Sequence, residues 1–160
     1  MRSDKFRLSP RLRVWTYGTF GLLFASGLLW WLIQSWGRVE TEFGPTPHSA
    51  AAWLLRLHGA AAMLVLVILG VLLPVHVARA WRARRNRSSG AGMLTLCALL
   101  AATGWLLYYA TGETSRTIVS AIHLWLGFSL PLVLVIHIWL GRRARRLGKT
   151  TSNSNTAPSA

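Results

Sequence analysis

The stretch Arg56–Arg79, RLHGAAAMLVLVILGVLLPVHVAR, is apolar almost throughout, yet it carries a histidine near each end, His58 and His76. Crossing the hydrocarbon core of a bilayer takes about 20 apolar residues, and this run is long enough. The two histidines are 18 residues apart. At roughly 100° per residue that separation is about five turns, so both imidazoles leave the helix on one face. Ionisable side chains inside a membrane are costly to bury and point to function.

Working outward, a second run, Ile118–Leu140, repeats the device with His123 and His137, 14 residues apart. That spacing returns to within about 40° of the starting direction. Two further apolar runs, Trp15–Trp36 and Gly92–Ala110, bring the expected spans to four, and the run through His58 extends over Ala50–Ala78. The four runs use most of the 160 residues, and 52% of the chain is hydrophobic. The expected architecture is therefore all-α, an integral membrane four-helix bundle. Residues 1–11 read as a basic cytoplasmic N-terminus, 12–146 as the membrane domain, and 147–160 as a polar, disordered tail.

A net charge of +14 raises the question of nucleic acid, but its distribution points elsewhere. Fifteen of the 18 basic residues fall before the first span, between the second and third, or after the fourth. Three of the four acids, Glu40, Glu42 and Glu113, fall on the opposite side. This is the positive-inside pattern, which expects both termini in the cytoplasm and basic ends touching anionic lipid. No aromatic-interleaved or folded basic module accompanies the charge, so a nucleic-acid partner is not expected. Cys97, mid-span, is the only cysteine. It excludes an intramolecular disulfide, a cysteine-held iron–sulfur cluster and covalent haem attachment through C-x-x-C-H. The N-terminal apolar run is too long for a cleavable signal and lacks the small-residue site after it.

The first span holds no histidine. Its Trp15, Trp30, Trp31 and Trp36 suit interfacial belts, and Gly18, Gly21, Ser26 and Gly27 offer close-packing positions. Between spans one and two, RVETEFGPTPHS (Arg38–Ser49) is an outer loop whose prolines and glycine exclude a regular helix. His48 there reads as a solvent-loop residue or one at a substrate entrance. Pro74 is expected to kink the second span just before His76. Arg79–Gly90 reads as a basic cytoplasmic loop ending in Ser88, Ser89 and Gly90. Leu22-Leu23-Phe24-Ala25-Ser26-Gly27 aligns without gaps with Leu99-Leu100-Ala101-Ala102-Thr103-Gly104, a small hydroxyl and then a glycine at matching depth. Each of these spans is followed by one with two histidines, which suggests an internal repeat of helix pairs.

Spans two and four both run inward, so His58 and His123 share the outer leaflet and His76 and His137 the inner. The natural pairs are His58 with His123 and His76 with His137. Eighteen residues rise about 27 Å and fourteen about 21 Å, a mismatch that tilt of the second span and the Pro74 kink would absorb. Two imidazoles per level suit haem b, which is largely apolar and takes one axial ligand on each iron face. A zinc site would need about four ligands. Acids that could complete such a site, or carry a proton relay, are absent from the spans. The expected cofactors are two haems b, or one if the inner site is not formed. Arg79, three residues after His76, and Arg116, seven before His123, are candidates to hold the propionates, with interfacial snorkelling as the alternative. Arg56 points away from His58 and has a propionate, a lipid headgroup, Glu40 or Glu42 as options. Packing histidines bonded across helices are the bland alternative for all four.

With His58 and His123 on spans two and four and a His-x13-His on span four, residues 12–146 resemble the bacterial cytochrome b561-like family. The resemblance is to the membrane di-haem cytochrome b subunits of formate dehydrogenase and nickel-iron hydrogenase. It implies haem ligation by His58, His123 and His137. It also implies electron transfer between a redox partner subunit and the quinone pool in the bacterial inner membrane, the chain being multi-pass. The formate dehydrogenase type takes its remaining ligand from the first span, which has no histidine here, so His76 would replace it. That two-helix ligation is closer to the cytochrome b of respiratory complexes. An electron-transfer subunit is more in keeping with the chain than an independent enzyme. The alternatives are a stand-alone membrane ferric or quinone reductase, for which no nucleotide or flavin motif is present, and a cofactor-free structural membrane subunit.

Overall fold

A computed structural model describes residues 9–154, apart from Phe43 and Arg85, with side chains described as far as Ala144. Helix α1 spans Pro10–Trp36. It begins where the Ser9 hydroxyl accepts from the Leu12 N–H at 3.2 Å, with Pro10 at the first helical position, where a missing N–H costs nothing. The connection after α1 folds into an antiparallel hairpin of β1 (Val39–Thr41) and β2 (Gly44–Thr46), with Val39 opposite Thr46 and Thr41 opposite Gly44. Gly44 takes φ +98°, a conformation that disfavours a side chain. The loop from which a regular helix is excluded is partly a two-stranded ribbon, closed by the Thr41 hydroxyl donating to the Gly44 carbonyl at 2.8 Å.

Helix α2 spans Ser49–Leu72, and His48 caps it, its Nδ1 accepting from the Ala50 N–H at 3.1 Å. His48 therefore has a structural task, the satisfaction of a first-turn donor. The expected disturbance at Pro74 takes the form of a π turn, Leu73–Val77, in which the Ala78 N–H donates to the Leu73 carbonyl five residues back. Proline has no N–H for the α-helical bond, and a wider turn reroutes the ladder around it. Helix α3, Ala78–Arg82, continues the same rod, so the apolar span runs Ser49–Arg82.

Arg84 and Asn86 adopt φ of 52° and 47°, which turn the chain before α4, Arg87–Tyr109. The Arg87 guanidinium closes this turn. Its Nε and Nη2 donate to the Trp81 carbonyl at 3.0 and 2.8 Å, and it lies over the Trp81 ring 5.2 Å from the centroid. Ser88, Ser89 and Gly90 consequently belong to the first turn of α4 and not to the loop. Helix α5 runs Glu113–Ser154 without a break at Pro131. It continues past the expected boundary at 146, and residues 155–160 lie outside those described.

Four helical spans are long and apolar enough to cross a membrane. The protein is a multi-pass membrane protein whose helices meet lipid. Its side chains are distributed accordingly. Trp15, Trp53, Met63, Val67, Trp125, Leu132 and Val135 are exposed, whereas the buried polar residues among those described are Thr16, Thr19, Ser26 and Thr103. Lipid accepts large apolar groups, and helices approach one another through small residues and hydroxyls. The hydroxyls of Thr16, Ser26 and Thr103 donate to carbonyls of their own helices, as Thr16 does to Leu12 at 2.7 Å, which satisfies their protons in the apolar phase.

The chain divides into two compact units, Met1–Ala78 and Arg79–Ala160. In the first, α1 packs on α2; in the second, α4 packs on α5. Each is a helical hairpin, as the sequence alignment of helix pairs suggests.

Candidate functional site

In the first hairpin, His58 projects from α2 onto α1 at Ser26-Gly27. Its Nδ1 lies 3.0 Å from the Leu23 carbonyl oxygen and 3.3 Å from Ser26 Oγ. The Ser26 hydroxyl itself donates to the Leu23 carbonyl at 3.0 Å. A carbonyl can only accept, so a neutral His58 carries its proton on Nδ1 and bears its lone pair on Nε2. Ser26 is 1% exposed, the most buried polar residue described. Gly27 makes the approach feasible: a Cβ there would stand 2.8 Å from His58 Cε1 and 3.0 Å from Nδ1.

The second hairpin repeats the arrangement. His123 Nδ1 lies 2.9 Å from Thr103 Oγ1, and the Thr103 hydroxyl donates to the Leu99 and Leu100 carbonyls at 2.8 and 3.2 Å. With its proton turned toward α4's own backbone, the hydroxyl oxygen accepts from Nδ1–H of His123. Gly104 lies beneath the ring, its hypothetical Cβ 3.4 Å from His123 Cε1. The two hydroxyl–glycine steps that align in sequence, Ser26-Gly27 and Thr103-Gly104, therefore meet His58 and His123 in the same way. Gly18 and Gly21, expected as packing positions too, have open space where a Cβ would go.

His137 has a matching partner that the sequence reading passed over. Its Nδ1 lies 3.2 Å from Ser89 Oγ, whose hydroxyl faces the Asn86 carbonyl at 3.5 Å. Ser89 precedes Thr103 by 14 residues, and His137 follows His123 by 14. In an antiparallel pair these equal intervals hold one register along about 21 Å of helix. The equality of the intervals is the signal that could have found Ser89. No sequence signal pointed to the Leu23 carbonyl.

His76 stands apart. It lies within the π turn, which holds more residues per turn than an α-helix and so leaves it short of the azimuth that an unbroken helix would give. His58 and His76 thus share one helical span, but not the single straight face that the 18-residue spacing implies.

The arginines separate. Arg79 follows His76 by three residues, and Arg116 lies in the first turns of α5; both are exposed. Arg56, with several partners open to it in the sequence, lies over the Trp53 ring at 4.8 Å. Arg143 makes the same contact with Trp139 at 5.5 Å.

No group of three or more His, Cys, Asp or Glu side chains stands close enough to hold a metal ion among the described residues. The donor chemistry suits a different kind of centre. A haem iron asks each helix for one neutral imidazole, held by its far nitrogen and offering the other. His58, His123 and His137 meet that requirement, with Nδ1 engaged in each case. A backbone or side-chain acceptor behind a ligating histidine is the usual means of fixing ring orientation and tautomer. Comparison with protein-family models, curated proteins and solved structures finds no match for this chain.

Proposed function

We propose that the protein is a membrane b-type cytochrome that carries electrons between a redox partner subunit and the quinone pool. The observation that carries this reading is the threefold repetition of one contact, imidazole Nδ1 against a hydroxyl of the neighbouring helix, at His58, His123 and His137, the hydroxyl being buried at the first two. A packing histidine also makes a cross-helix hydrogen bond. Packing does not require the same ring nitrogen each time, in register, with glycine clearing the ring at two of the three positions.

Two haems b are the proposed cofactors, with His58 and His123 as axial ligands of the outer one and His76 and His137 of the inner. The haem iron supplies a one-electron couple whose potential depends on its axial ligands, their hydrogen bonds and burial. The chain's own part is to present neutral imidazoles from rigid helices and to surround the centre with apolar side chains. Arg79 and Arg116 are the proposed propionate partners. The charge distribution supports cytoplasmic termini, and the resemblance to the cytochrome b561-like family supports a bacterial inner membrane.

A reduced-minus-oxidised absorption spectrum of the purified protein, with haem counted per chain, tests the reading. Two haems b per chain are expected. One would restrict the centre to His58 and His123. None, from haem-replete cells, would overturn the cytochrome reading in favour of a structural membrane subunit.

A further inference from the structure

We propose that Ser26, Thr103 and Ser89 are positioning residues that lock His58, His123 and His137 in the Nδ1–H tautomer and raise the donor strength of Nε2. The redox part of this inference rests on the haem reading; the tautomer part stands on the hairpins alone.

The argument is one of proton count. A serine or threonine hydroxyl has one proton to give and lone pairs to accept with. Each of these three hydroxyls faces a backbone carbonyl three or four residues back: Leu23 and Leu99 within their own helices at 3.0 and 2.8 Å, and Asn86, the residue before α4, at 3.5 Å. A carbonyl has no proton to offer, so the hydroxyl proton goes there. The oxygen that remains toward the imidazole then acts as acceptor, at 3.3, 2.9 and 3.2 Å respectively. Nδ1 must supply the proton in each case. At His58 the Leu23 carbonyl, 3.0 Å from Nδ1, imposes the same direction independently.

A ring that gives its Nδ1 proton to an acceptor becomes a more basic ligand through Nε2. A more basic axial ligand favours the higher oxidation state of the metal. The contact is made within one hairpin, so the ring is set before any cofactor arrives.

The test uses the full chain in phosphatidylcholine vesicles, with 15N-labelled histidine. In the haem-free protein, ring 15N shifts are expected to report Nδ1–H for His58, His123 and His137. Thr103→Val keeps the side-chain shape and removes the acceptor; it is expected to move His123 toward Nε2–H, and Thr103→Ser to restore it. Nε2–H in the wild-type protein, or no response to Thr103→Val, would overturn the proposal. In the haem-loaded protein, Thr103→Val is expected to raise the midpoint potential of the haem ligated by His123, while Thr103→Ser leaves it near wild type. An unchanged midpoint with haem retained would overturn the donor-strength claim. If Thr103→Val does not assemble, Ser89→Ala read against Ser89→Thr decides the same question at His137. A chain that never binds haem, yet shows the three Nδ1–H rings and their response, would overturn the proposed function and uphold the tautomer lock.

Discussion

Gly27 lies so close to His58 that a single methyl group would collide with the ring, 2.8 Å from Cε1 and 3.0 Å from Nδ1. The atoms met belong to the His58 ring, so either the ring leaves its bond with the Leu23 carbonyl or α1 and α2 part. Overpacking of this kind typically costs about 1–3 kcal/mol. Gly27→Ala should therefore lower thermal stability and reduce haem per chain. Gly104→Ala, whose Cβ would sit at 3.4 Å, should do so much less. Equal tolerance at the two positions, read from melting curves and haem content side by side, would contradict the geometry.

Ligand removal separates the two proposed centres. His58→Ala or His123→Ala should each remove one haem and leave the other, and His76→Ala or His137→Ala should remove the complementary one. Haem counting and low-temperature spectra of the four variants give the answer. Retention of the full complement in both His58→Ala and His123→Ala would mean that these two do not ligate the same iron.

Pro74 gives the C-terminal part of the second span its π turn. Pro74→Ala restores an N–H and permits α-helical bonding, which rotates His76 relative to His58. The expected outcome is a changed spectrum or lost occupancy for the haem that depends on His76, with the haem that depends on His58 unaltered. A uniform effect on both would argue that the turn acts on overall stability instead.

His48→Ala removes the cap on α2. Loss of an N-terminal cap costs about 0.5–2 kcal/mol, so a lower melting temperature and faster amide exchange at Ala50 are expected. His48→Asn should recover most of the loss. The proposed haem content and reaction with quinone should not change between wild type and His48→Ala; a specific loss of quinone reaction would place His48 at a substrate entrance after all.

Orientation can be read by labelling. In intact spheroplasts a membrane-impermeant thiol reagent should reach Thr41→Cys and fail to reach Ala83→Cys until the membrane is opened. Cys97, buried in α4, provides a low background. The reverse pattern would invert the topology that the basic residues imply.

Several features of the site were legible before any coordinates. The Ser26-Gly27 and Thr103-Gly104 steps line up in sequence, and both proved to seat a histidine ring. Pro74 announced a disturbance, because a missing N–H is a property of the residue itself. Other features were not legible. Ser89 reads as part of a polar loop beside Arg87 and Ser88, and only the placement of α4 from Arg87 puts it on a helix face opposite His137. His48 reads as a loop residue, and becomes a cap only because α2 begins directly after it.

The division has a physical origin. Whether a segment can cross a bilayer depends on the length and apolarity of that segment alone, so the four spans follow from Trp15–Trp36, Ala50–Ala78, Gly92–Ala110 and Ile118–Leu140 taken one at a time. The sign of the charge around the spans and the spacing of histidines along them are local in the same sense. Which nitrogen of His58 holds the proton is not local. It depends on the Leu23 carbonyl and the Ser26 hydroxyl, 35 and 32 residues away in sequence, and on the depth at which α1 and α2 settle against one another. That depth is fixed by close packing across Gly27, a relation between two helices that neither carries by itself.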